Sequence, residues 1–288
     1  MQITANGIQL EYEEYGAKDA PVIILIRGLG TQLVHWPRLF IDGLVALGLR
    51  TIVFDNRDAG LSQKFDGVGA AREIRAILKS GGQPEPAYSL DDMALDTVGL
   101  MDALSIKRAH VFGISMGGAI TQLLAINHAD RLLSATMVMT AAHLGGAGLL
   151  EYLLLPPQTC EQAQENWVQG HRDWGSPGFP ISEEALRAEA ALAWERYPDA
   201  DGSNRQAIAT LAAPDRREAL KNVALDCMVI HGAVDTLIPV DKGRKIAALI
   251  PNARLHLIEG MGHVITPLLS PIIVQMVGDF IGSRRTSD

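Results

Sequence analysis

The chain has 288 residues, 48% of them hydrophobic, and a net charge of −8 from 25 basic and 33 acidic side chains. That is enough apolar material for a large core in one α/β domain with an inserted subdomain. The acidic balance, without any Lys/Arg-rich run, argues against nucleic acid or an anionic membrane as partner.

Residues 3–15 alternate around Asn6-Gly7, a hairpin signal that predicts an antiparallel edge. Runs near 22–27, 50–54, 107–113, 132–139, 225–231 and 253–258 are continuously apolar, as parallel strands buried on both faces are. Helical patterns near 36–47, 90–104, 116–128, 240–250 and 270–281 fall between or after them, so a mostly parallel, doubly wound sheet is expected. Gln63–Ser89, with a short helical pattern at 70–79, reads as an excursion over the sheet edge that carries the chemistry. Residues 142–222 break the rhythm: they contain helical stretches, no credible strand and three of the four tryptophans. They predict a helical cap between core segments 1–141 and 223–288, with its aromatics roofing a pocket. Trp167 and Trp174 are the expected substrate contacts.

Ser115 lies in Gly113-Ile114-Ser115-Met116-Gly117, after the apolar run 109–112 and before a helical stretch. A serine on a sharp strand-to-helix turn needs small neighbours two positions either side, and the helix behind it aims N–H groups at any nearby oxyanion. A serine hydroxyl also needs a base, and the base an orienting carboxylate. Asp235 follows the strand ending at His231-Gly232, and His263 follows the strand ending near Ile258. Serine, acid and histidine thus come in the chain order of hydrolases with this elbow, each just past the C-terminal end of a strand. The strand before the insert ends in Thr140-Ala141-Ala142 and offers no competing carboxylate.

On these residues the chain resembles the α/β-hydrolase superfamily over nearly its whole length. The resemblance implies an α/β-hydrolase fold with an inserted helical cap and a triad of Ser115, Asp235 and His263. It also implies an oxyanion hole formed by the main-chain N–H groups of Met116 and Leu29. The loop Arg27-Gly28-Leu29-Gly30 departs from the usual His-Gly: a guanidinium stands there and needs an acceptor or open solvent. The stretch Asp55-Asn56-Arg57-Asp58-Ala59-Gly60 resembles the branch containing aclacinomycin methylesterase, with Asp58 where glycine is usual. Asp55 and Arg57 are expected to be a hydrogen-bonded pair that fixes the loop.

Of the other histidines, His110 and His256 are expected in the core, His128 at a helix end and His231 as a loop anchor. His35, His143 and His171 are candidates to border the pocket. No spacing suggests a metal site, and neither a phosphate loop nor a dinucleotide fingerprint is complete, so no cofactor is expected. Met1–Gly7 lacks the features of a signal peptide, no apolar stretch is long enough to span a bilayer, and two cysteines make no disulfide framework. A cytoplasmic setting is the expectation.

The chemistry expected is two-step acyl transfer to Ser115, with a carboxylic ester of small to medium apolar groups as the small-molecule partner. Lactonase, thioesterase, haloperoxidase-type and carbon–carbon hydrolase activities remain open on the same triad. So does a non-catalytic ligand receptor on this fold.

Overall fold

Asn6 and Gly7 both take positive φ, 50° and 77°, which closes the two-residue turn between β1 (Gln2–Ala5) and β2 (Ile8–Tyr15). The computed structural model describes residues 1–145, 147–198 and 200–282. From this hairpin grows an eight-stranded sheet in the order β1-β2-β4-β3-β5-β6-β7-β8. Its remaining strands are β3 (Val22–Ile26), β4 (Arg50–Phe54), β5 (Ala109–Ile114), β6 (Leu132–Val138), β7 (Cys227–Gly232) and β8 (Arg254–Ile258). β2 runs antiparallel to both its neighbours and β3 to β8 are mutually parallel. This is the α/β-hydrolase fold.

The parallel strands between β4 and β8 are apolar on both faces because helices cover both. One face packs against α1 (Arg38–Ala46) and α11 (Ser270–Gly282), through Phe40, Ile41, Leu44, Ile273 and Phe280. The other packs against α3 (Leu90–Ala103), α4 (Met116–Asn127) and α10 (Asp241–Leu249), through Met93, Leu100, Ile120, Leu124 and Ile246. β8 departs from the expectation of full burial. It is the edge strand, so Leu255 is exposed and His256 only half-buried rather than packed in the core.

β3 lies between β4 and β5, so the chain leaves it in one direction and returns on its other side. Loops after β3 and β5 therefore diverge and leave a crevice at their C-terminal ends, the position where open α/β sheets receive ligands. Between β6 and β7 come five helices: α5 (Ala147–Leu153), α6 (Cys160–Trp174), α7 (Glu183–Arg196), α8 (Ala200–Ala212) and α9 (Arg217–Leu220). α2 (Ala71–Lys79) joins them: Ala71 and Ile74 pack with Leu150, Leu154, Ala207 and Ile208 in a small apolar cluster separate from the two sheet cores. No helix among the described residues is long and apolar enough to cross a membrane.

Candidate active site

Ser115 is the single residue between β5 and α4, with φ 54° and ψ −117°. A non-glycine residue held there costs on the order of 1–3 kcal/mol, so the surroundings must impose it. They do. Its N–H donates to Val138 O (2.9 Å) and its carbonyl accepts from Thr140 Oγ1 (2.8 Å), both at the end of neighbouring β6. The glycines either side are required by close approach: a Cβ on Gly113 would collide with Gly117 O and Thr121 Oγ1, and one on Gly117 with Ile26 O.

The loops after β7 and β8 bring Asp235 and His263 to this serine. His263 Nε2 lies 3.0 Å from Ser115 Oγ, and His263 Nδ1 lies 2.7 Å from Asp235 Oδ2. Nδ1 must donate to the carboxylate, which leaves Nε2 bare to accept the serine proton. The other carboxylate oxygen, Oδ1, accepts from the N–H groups of Leu237 (3.0 Å) and Ile238 (2.8 Å). Burial resists ionisation of Asp235, but the His231 ring edge 3.5 Å from Oδ2 and the hydrogen bond from His263 outweigh it and hold the carboxyl at about 2. His231 does anchor the loop: its Nε2 donates to Ile238 O at 2.8 Å. The His263 N–H donates to Trp174 O (2.7 Å), and Ser176 Oγ bridges Gly262 N and Val264 O, so the end of α6 fixes the histidine loop.

Leu29 and Met116 line the same cavity as Ser115 and His263. The loop that carries Leu29 is braced from the insert, for Gly30 N donates to Gln206 Oε1 (2.8 Å), and Gln206 Nε2 donates to Arg57 O (2.7 Å). Gln206 lies in a run of α8, Gly202 to Gln206, that is polar in sequence and buried in the structure. Its composition reads as a solvated face, so no sequence signal marked it.

The expected pairing of Asp55 with Arg57 is not what forms. Arg57 is buried against Asp96, with bonds of 2.6 and 2.7 Å. Asp55 accepts from Leu33 N and Leu61 N and pairs with Arg196 of α7 (2.8 Å). Asp58 pairs with Arg205 of α8 (2.9 and 3.0 Å) and accepts from Tyr88 OH (2.7 Å). The loop is fixed, but by charges far along the chain that dock the inserted helices onto it. Asp58 takes φ 65° where glycine is usual, a conformation aspartate tolerates better than most side chains.

A cavity of about 770 Å³ opens above Ser115, between the sheet edge and the inserted helices. Trp167, Trp174 and Trp194 all line it. Trp167 sits between the rings of His35 and His171, with centroids at 4.6 and 4.8 Å, and its Nε1 donates to Glu189 Oε2 (3.3 Å). Trp174 meets the edge of His263 at 6.1 Å. His35 and His171 border the cavity as expected, whereas His143 is exposed and lies outside its lining. Burial holds both ring systems neutral: it drives His35 down to about 3 and lowers His171 as well.

Comparison with known proteins agrees with the fold. The alpha/beta hydrolase fold family matches residues 21–193. The chain is 28% identical to rhodomycin D methylesterase DnrP of Streptomyces peucetius, over 91% of each chain. It is 26% identical to 3-oxoadipate enol-lactonase 2 of Acinetobacter baylyi, over 89% of this chain and 87% of the relative. The crystal structure of the enol-lactonase from Burkholderia xenovorans LB400 superposes with a TM-score of 0.80 at 25% identity, covering 98% of this chain and all of that one.

Proposed function

We propose that this chain, which belongs to the α/β-hydrolase fold family, is a serine hydrolase that cleaves carboxylic esters of small to medium apolar compounds. The observation that carries the reading is the hydrogen-bonded line from Ser115 through His263 to Asp235, at 3.0 and 2.7 Å. His263 removes the proton from Ser115 as the hydroxyl attacks the ester carbonyl, and Asp235 stabilises the imidazolium that forms. The main-chain N–H groups of Leu29 and Met116 receive the developing oxyanion, aided by the positive end of α4. His263 then protonates the departing alkoxide, and a water activated by the same histidine releases the acid. The helices between β6 and β7, within residues 142–222, act as a cap that selects substrate, with Trp167 and Trp174 in contact with it. Residues 1–141 and 223–282 form the core that does the chemistry; the last six residues of the expected segment 223–288 lie outside the described residues.

A lactone is the second reading. It is favoured by the superposition of the whole chain on an enol-lactonase, since a cyclic ester needs no change in triad or hole. Both readings stand on Ser115. Ser115→Ala is expected to abolish release of nitrophenolate from 4-nitrophenyl esters while leaving the circular-dichroism spectrum unchanged. A sulfonyl fluoride is expected to label Ser115 and no other serine. Activity within a few-fold of wild type in Ser115→Ala, or labelling elsewhere, would remove the proposal.

A further inference from the structure

Several arginines are buried near the candidate site, and three of them have evident partners. Arg57 holds Asp96 and Arg205 holds Asp58. Arg216 makes no ion pair among the described residues, but each of its three nitrogens donates, to Gln122 Oε1, Pro214 O and Ala141 O. Arg27 is different. It is 8% exposed and lies in the cavity wall one residue before Gly28, where an added Cβ would sit 3.2 Å from Ser115 Cβ. Its Nε donates to Thr31 Oγ1 (3.1 Å), its Nη1 to His35 O (3.3 Å), and its plane lies 4.8 Å over Trp36. Nη2 has no hydrogen-bond partner among the described residues, and no carboxylate among them lies within ion-pair distance of the group.

A buried cation without a counter-ion is costly, and removal of one partner from a buried pair commonly costs about 3–5 kcal/mol. Burial lowers Arg27 to about 10, so it stays charged at neutral pH. Glu189 supplies only a longer-range field: its Oε2 is engaged by Trp167 Nε1, and burial raises its pKa toward the neutral acid. The neighbouring His35 and His171 add no positive charge, because burial keeps both neutral. The wall thus presents one positive charge that has no ion-pair partner among the described residues, facing a cavity lined by more apolar than polar surface, and the flat edge of a guanidinium matches a carboxylate.

We propose that Arg27 is a carboxylate subsite: the ester or lactone cleaved at Ser115 carries a free carboxylate on its body, which docks on the open Nη2 edge of the guanidinium. This rests on the serine-hydrolase reading for its chemistry but not for its binding. The carboxylate orients the substrate and takes no part in bond making.

Two measurements test it. The first compares kcat/KM for 4-nitrophenyl hydrogen adipate and for the neutral 4-nitrophenyl heptanoate. Wild type is expected to prefer the acid. Arg27→Gln keeps a donor toward Thr31 and His35 but no charge, and is expected to reduce the acid-over-neutral ratio roughly 10- to 100-fold, mainly through KM. Arg27→Lys is expected to keep much of the preference. The second is calorimetric titration of adipate into Ser115→Ala with Arg27 present or replaced by glutamine; binding is expected to weaken at least about tenfold without the charge. An unchanged ratio, or equal adipate affinity in the two proteins, overturns the subsite. If wild type hydrolyses neither ester, the serine-hydrolase reading falls, and the adipate titration still decides whether Arg27 binds a carboxylate.

Discussion

Replacing Asp235 by asparagine tests the proposed triad through a proton rather than a shape. In the native site Oδ1 accepts from two main-chain N–H groups, those of Leu237 and Ile238, and Oδ2 faces His263 Nδ1 at 2.7 Å. An asparagine must keep its carbonyl oxygen on the Leu237 and Ile238 side, because an NH2 there would confront two donors. Its NH2 then points at Nδ1, which must accept, and the imidazole proton moves to Nε2. That atom faces Ser115 Oγ at 3.0 Å, and once protonated it cannot take the serine proton. Inverting the tautomer in this way lowers kcat about 10⁴-fold, or about 5.5 kcal/mol. The assay is steady-state release of 4-nitrophenolate at pH 7.5 from Asp235→Asn and wild type of equal folded fraction. A kcat within tenfold of wild type would refute the reasoning.

The same substitution has a signature in stability. The Asp235 carboxyl titrates at about 2 when folded against an ordinary 3.8, because its hydrogen bonds outweigh the cost of burial. A depressed folded pKa means stability that is present above about pH 4 and lost as pH falls toward 2. The shift corresponds to about 2 kcal/mol. Urea titrations at pH 5 and pH 2 should therefore show wild type losing about 2 kcal/mol more than Asp235→Asn. Equal losses would mean that the buried carboxylate is not held ionised by these donors.

Other substitutions probe how the insert is docked and what it selects. Arg196→Met leaves Asp55 fully buried with only Leu33 N and Leu61 N as donors, and should cost about 3 kcal/mol in urea denaturation. Adding Asp55→Asn should recover part of that loss, and strict additivity of the two would deny the coupling. Gln206→Ala strands Gly30 N and Arg57 O, and should lower kcat on every ester tested rather than shift preference among them, since it loosens the loop bearing Leu29. Trp167→Ala and Trp174→Ala should instead alter the acyl-chain profile more than the rate on acetate esters, at about 1–3 kcal/mol per methylene. Wild-type profiles in both would place these rings in the packing of the insert alone.

Much of this protein was legible before folding because its signals are local. A sharp turn needs small residues, so Gly113 and Gly117 mark Ser115; buried parallel strands need unbroken apolar runs, so β3 to β7 stand out along the chain. Asp235 and His263 were readable for the same reason, as short loops just past strand ends, and the sheet's order then converges them on the serine. What sequence could not decide is which charges meet across long separations. Asp55 and Arg57 are two residues apart and read as partners, yet their carboxylate and guanidinium find Arg196 and Asp96 instead. The buried polar face of α8 and the Arg27 charge, without an ion pair among the described residues, belong to the same class. Burial and pairing of a polar side chain depend on what the folded chain sets opposite it, and only the tertiary structure supplies that neighbour.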